Sequence, residues 1–162
     1  FTNDIKTKTT IYEGKKFGNV CADSLDLETT EEKEELEKVN EENKSMFEVM
    51  KEAINSDVQE VRFTHKLKNH PVCLTSEGNL SVGMEKTLNS MPNNMENVKA
   101  QTILEINENH PIVEKLKSLY ENDKNELKEY TKILYAQARL IEGLPIENPT
   151  EISNLVCKMI AK

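Results

Sequence analysis

The side chains best suited to catalysis or metal binding in this sequence are three histidines, His65, His70 and His110, and three cysteines, Cys21, Cys73 and Cys157. A thiolate attacks, and an imidazole or thiolate ligates, only where neighbours tune its pKa or complete a coordination shell. No Cys-x-x-Cys pair occurs, and the cysteines stand far apart and odd in number, so neither a zinc knuckle nor a disulfide framework is indicated. Each histidine reads as a packing or turn residue rather than a ligand. Cys73, between Val72 and Leu74, reads as a small buried hydrophobe. Gly14-Lys15-Lys16 lacks the upstream glycine of a phosphate-binding loop, and no Gly-x-Ser-x-Gly or His-Glu-x-x-His signature is present. The plentiful carboxylates lie in solvated runs, without the apolar surroundings that raise a carboxyl pKa for acid–base work. The expectation is a chain that holds something rather than converts it, with no catalytic, cofactor-binding or metal-ligating residue.

The elements that would do the holding are unevenly spread. Charged residues make up 31% of the 162 and hydrophobic ones 36%. The apolar residues gather in the last two-thirds, while residues 28–44 are nearly all charge, most simply a solvated face. Net charge is −8, with no basic cluster beyond Lys15-Lys16 and the scattered Arg62, Lys66 and Lys68, which excludes a nucleic-acid partner. No apolar run approaches membrane-spanning length, so no membrane partner is expected either. The cysteine usage fits a reducing, intracellular compartment. A start at Phe1 without a basic-then-apolar leader reads as a piece of a longer protein.

Around Gly14 and Gly18, residues 1–27 read as a strand or two with turns. Thr29 or Thr30 can cap a helix that opens on Glu31-Glu32, and Leu36, Val39, Met46, Phe47, Met50, Ala53 and Ile54 continue it at helical spacing to Asn55. Val58–Thr64 alternates and is a strand; residues 72–74 follow a Pro-led turn as a second, and 102–106 supply a third. These make a small three-stranded sheet with a face for helices, an α+β fold. Pro111 suits the first turn of the next helix, with Asn109 as its cap and Ile112, Val113, Leu116, Leu119 and Tyr120 on its inner side.

Two further helical stretches are amphipathic. Leu80, Met84, Leu88 and Met91 fall on one face of a helix within 80–95, with Glu85, Lys86 and Asn89 on the other. Methionine is flexible and polarizable, which suits a surface that accommodates varied partners, though the same stripe would serve a core helix covering the sheet. Leu127, Leu134 and Ile141 recur every seven residues, with Ile133, Leu140 and Leu144 widening the stripe, and Gly143 ends it. Pro149 opens a last helix with Ile152, Leu155, Val156, Met159 and Ile160. At about a dozen residues that helix is too short to be stable alone in water. Two copies of the last helix pair could form a four-helix bundle about a two-fold axis, or both helices could pack on their own sheet; periodicity leaves both open.

Several motifs in order carry a resemblance. They are Val61-Arg62-Phe63-Thr64-His65-Lys66-Leu67, Pro71-Val72-Cys73-Leu74, Gly83-Met84-Glu85-Lys86-Thr87-Leu88, Ile103-Leu104-Glu105-Ile106-Asn107 with His110-Pro111-Ile112-Val113, and Leu134-Tyr135-Ala136-Gln137-Ala138. The series resembles the C-terminal domain of heat-shock protein 90 chaperones in their short bacterial form, the HtpG type. Tyr12-Glu13-Gly14-Lys15-Lys16-Phe17 is similar to the end of that family's middle domain. Lys66, His70 and Glu108 depart from the family's usual arginine, small hydroxyl residue and proline, which touches turn details only.

The resemblance implies that residues 1–27 are the tail of the middle domain and 28–162 the C-terminal dimerisation domain of an ATP-dependent chaperone that binds unfolded proteins under stress. ATP and its Mg ion would bind the full-length protein outside this piece, which needs no cofactor of its own. It implies a homodimer through a four-helix bundle of 127–141 and Pro149–Ile160, with Leu134, Ile141, Ile152, Leu155, Val156 and Met159 at the interface. It also implies non-native client proteins as partners, contacted through Leu80, Met84, Leu88 and Met91. The ending without an acidic tail points to the bacterial cytoplasm, or secondarily an organellar matrix, and away from tail-binding co-chaperones. The alternative function is a helical dimerisation or scaffold module without clients.

Overall fold

The computed structural model describes residues 11–12, 15–16, 30–54, 58–76, 82–91 and 101–161. The strand expected near the start appears as a short antiparallel ladder of β1 (Ile11–Tyr12) and β2 (Lys15–Lys16); the rest of 1–27 lies outside the described residues. The body of the fold is α+β, a small mixed sheet with helices on it, as expected.

The stretch read as one helix divides into α1 (Thr30–Glu42) and α2 (Lys44–Ala53). Asn43 stands at the break with φ −98° and ψ 7°, and its side-chain amide donates to the Val39 carbonyl at 2.7 Å, beside its own N–H at 3.1 Å. A hydrophobic period cannot register such a bond, because Leu36 and Val39 before the break and Met46, Phe47 and Met50 after it all still face the core. The charged positions of α1 remain largely exposed.

β3 (Val58–Thr64), β4 (Val72–Ser76) and β5 (Thr102–Asn107) form the sheet in the order β3-β5-β4, with β5 parallel to β3 and antiparallel to β4. The register with β5 slips by one residue between Val58 and Glu60. Without the slip, a spacing of three would put Val58 and Val61 on opposite faces; with it, both join Phe63 in the core. Two cross-strand rows, Val61–Leu104–Leu74 and Phe63–Ile106–Val72, form the core face. Against them lie α2, α4 (Ile112–Asn122) through Val113, Leu116 and Leu119, and α5 (Lys124–Ile141) through Leu127, Leu134 and Ala138. All six residues of β5 are buried, so its far face is shut off as well.

The cap expected from Asn109 is made differently. Asn107 is buried at the end of β5, donates to the His70 carbonyl at 3.2 Å and accepts the Asn109 N–H at 3.1 Å, so it organises the turn itself. The ring of His110 then accepts the Ile112 N–H at Nδ1, 3.2 Å, with Pro111 in the N-cap position. α5 begins ahead of its first apolar repeat because Asp123 accepts the N–H groups of Asn125 and Glu126. Gly143, at φ 69°, ends it in a Schellman arrangement: Leu144 N–H reaches the Arg139 carbonyl at 2.8 Å and Gly143 N–H that of Leu140 at 3.0 Å. The last helix, α6 (Pro149–Ile160), is capped by Asn148, whose side chain accepts the Glu151 N–H while donating to the Glu151 carboxylate.

Candidate interaction surfaces

Two of the three histidines are held in structural bonds. His65 pairs through Nε2 with Glu108 just past the ends of the parallel strands, and His110 caps α4. Among the described residues no cluster of three or more His, Cys, Asp or Glu is arranged to hold a metal ion. On the far face of the sheet, Arg62, Glu105 and Cys73 stand in one cross-strand row. Arg62 donates to Glu105 Oε1 through Nε at 3.0 Å and Nη2 at 2.6 Å. Glu105 is 2% exposed, which corrects the expectation that every carboxylate is solvated: it sits in the one strand whose two faces are both closed.

Cys73 is half-buried rather than buried, with Sγ 3.7 Å from Glu105 Oε2. Burial, then the neighbouring Glu105 charge and hydrogen bond, push its thiol up to about 12. At pH 8 its thiolate is then about one part in ten thousand, while Cys157 stands exposed on α6. Brief iodoacetamide treatment at pH 8 should label Cys157 and spare Cys73, as read by peptide mass spectrometry. Equal labelling of the two in the folded chain would contradict this placement.

The methionine-bearing helix, α3 (Val82–Asn89), packs against β4. Among its described side chains the buried one is Glu85, 6% exposed, so Glu85 departs from the outward face expected for it. An eight-residue helix resting on one edge strand buries only the line that touches the strand. Met84 is 50% and Met91 52% exposed, and Leu88 is intermediate. Leu80 lies outside the described residues.

The second surface is at the end of the chain. α6 packs on α5, yet none of its side chains is buried. Ile152, Leu155, Val156 and Met159 are each part-exposed, and Ile160 is 80% exposed. On α5, Ile141 and its neighbour Leu140 are exposed too, whereas Leu134 is buried in the core of its own chain. Two ion pairs tie the helices: Lys132 to Glu151 at 2.6 Å and Lys158 to Glu129 at 2.6 Å. The hydrogen bond from Lys132, with its charge, holds the Glu151 carboxyl below the usual range. Leu140 and Ile160 were legible as members of apolar stripes, but spacing alone did not mark them as the most open.

The described residues thus form a three-stranded mixed sheet roofed by helices, with a last helix pair that carries a part-exposed apolar stripe. The chain matches the family model for Hsp90 protein over residues 5–162 and belongs to that family. It is similar to the chaperone protein HtpG of Clostridium perfringens, 49% identical over 149 residues, which is 92% of this chain and 23% of that protein. The proteins of the same name from Clostridium botulinum and Shouchella clausii are each 48% identical over 92% of this chain and 24% of their own length. The chain thus spans about a quarter of the length of the curated relatives it matches. Among the described residues no helix is long and apolar enough to cross a membrane.

Proposed function

We propose that residues 28–162 are the C-terminal dimerisation domain of an ATP-dependent, HtpG-type chaperone, with 1–27 the end of its middle domain. The observation that carries this reading is α6, an amphipathic helix with no buried side chain. Twelve residues are too few to hold a helix alone in water, and the partial cover that α5 gives leaves one side of its stripe open. A second copy, placed about a two-fold axis, supplies the missing wall and makes a four-helix bundle. Ile141, Ile152, Leu155, Val156 and Met159 meet across it, with Leu134 supporting α5 from inside. ATP and Mg bind elsewhere in the full-length protein, which works in the bacterial cytoplasm. Permanent dimerisation keeps two such arms at an effective concentration on the order of millimolar, so they can close together on a client.

Changing Leu155 to Asp puts a charge into the centre of that seam. The dimer should weaken on the order of a hundredfold or more, and light scattering should give 18.6 kDa instead of twice that mass. A dimer that survives the substitution would show the bundle to be misplaced.

The same reading makes Leu80, Met84, Leu88 and Met91 a contact for non-native proteins. The half-exposed methionines of α3 support it, since an open, flexible apolar face costs stability unless it is used. Replacing Met84, Leu88 and Met91 with Ser should weaken suppression of client aggregation by the full-length protein. The melting temperature should move by no more than about 2 °C, as for surface changes. A sharp drop in melting temperature would make these residues core, and unchanged suppression would favour a scaffold without clients.

A further inference from the structure

We infer that Arg139 is a positioning residue for the dimer: it latches the α5–α6 turn and so fixes the direction in which α6 presents its stripe. The latch is read from this chain's own geometry; its consequence for assembly rests on the dimerisation reading above.

No side chain of α6 is fully buried: Ile152, Leu155, Val156 and Met159 are only part-covered by their own chain, so packing holds the angle between α5 and α6 loosely. The two ion pairs between them have exposed or half-exposed partners, a setting in which such pairs hold weakly. What remains is the turn, and Arg139 grips it twice. Its backbone carbonyl accepts the Leu144 N–H at 2.8 Å, and its side-chain Nε donates to the Pro145 carbonyl at 2.8 Å. Nη1 donates to the Tyr135 hydroxyl at 3.0 Å, one turn back on α5, and the guanidinium lies 5.6 Å from that ring's centre. The fork therefore joins the rigid body of α5 to the segment that launches α6, while Leu144 is anchored in the core.

Arg139 is 8% exposed, and among the described residues no carboxylate pairs with it. Burying a guanidinium against neutral acceptors alone is costly, and a leucine or methionine would fill the space without that cost. Neither would hold the Pro145 carbonyl, and Arg139 itself borders a cavity of about 170 Å³ that Tyr135, Ala136, Ile146 and Ile152 also line. Lysine carries its three donors on one nitrogen and lacks the two separated nitrogens that reach Pro145 and Tyr135 together. The rigid fork is thus matched to the turn, not to filling the core.

The test is Arg139→Met, read in two ways. In the Leu155→Asp chain, hydrogen exchange of the α6 amides should quicken about tenfold, the worth of one charged hydrogen bond, while β5 amides keep their rates. In the otherwise unchanged chain, the dimer dissociation constant should rise about tenfold by sedimentation, and Arg139→Lys should recover only part of it. Unchanged α6 exchange, α6 already unprotected before the substitution, or β5 quickening by the same factor would each overturn the latch. Loosened α6 with an unchanged dimer constant would overturn the positioning role. If Arg139→Met does not fold, Tyr135→Phe removes only the hydroxyl acceptor; α6 exchange should then rise about threefold, and no rise overturns the latch. An unsubstituted chain that is monomeric would refute the dimer reading, and the exchange result would still decide the latch.

Discussion

Replacing Phe63 with Ala should lower the unfolding free energy by about 3–5 kcal/mol, near the top of the range for core truncations. Three features place it there. The ring is 1% exposed and sits in the row Phe63–Ile106–Val72 on the core face of the sheet. It meets the Phe47 ring of α2 edge-on, with centroids 4.9 Å apart and planes at 79°, a geometry worth about 1 kcal/mol beyond area. Its backbone is also pinned: the Asn40 side chain accepts the Phe63 N–H at 2.7 Å and donates to the Phe63 carbonyl at 3.3 Å. Asn40 thereby stands in for a neighbouring strand on the open edge of β3, and it stops the strand from sinking into the cavity that Ala would leave. A hole that cannot collapse keeps its full cost. For a chain of this size the melting temperature should fall by roughly 10 °C. A loss below about 1 kcal/mol in urea unfolding would mean the site relaxes, and the bond to Asn40 would not be holding it.

The sequence made some of this readable and hid the rest for physical reasons. The first strand was visible because its residues alternate, the other two as short apolar runs, one after a Pro-led turn, and the helices after 111 because their apolar residues recur at helical spacing. Where both signals are local, they suffice. The order β3-β5-β4 was not visible, since pairing is decided by contacts between residues far apart in the chain. The position of Glu105 followed from that order: a glutamate in an outer strand would be solvated, whereas in the middle strand of this sheet it is enclosed. Asn43 and Arg139 were hidden for a related reason. Both occupy polar positions of helical patterns, which read as solvent-facing, yet one bonds the Val39 carbonyl where two helices meet and the other is buried against the turn after α5. The exposed stripe of α6 is the opposite case. Its pattern was clear, but only the fold shows that the chain itself leaves it uncovered.

Arg62→Met should be nearly as damaging as the loss of Phe63, and its cost should be recoverable. Removing one partner of an enclosed ion pair costs about 3–5 kcal/mol, because the other charge is left without compensation. Here the partners are unequal: the Arg62 side chain is 32% exposed and the Glu105 side chain 3%. Once Arg62 is gone, Glu105 has a half-buried Cys73 thiol 3.7 Å away and little access to water. The expected loss is about 3 kcal/mol, toward the lower end because the site is open on the arginine side. Glu105→Leu should cost less, about 1 kcal/mol, since the part-exposed guanidinium keeps Glu60 at 4.0 Å and can reach solvent. Combining Arg62→Met with Glu105→Leu replaces the pair with apolar groups and should restore most of what Arg62→Met removes. Urea unfolding of the four proteins measures this directly. An Arg62→Met loss no greater than that of Glu105→Leu, or a double variant as weak as Arg62→Met alone, would show that enclosure of Glu105 is not what makes the arginine necessary. The expected asymmetry comes from position in the sheet: the acid lies in the strand with two neighbours, the base in the strand with one.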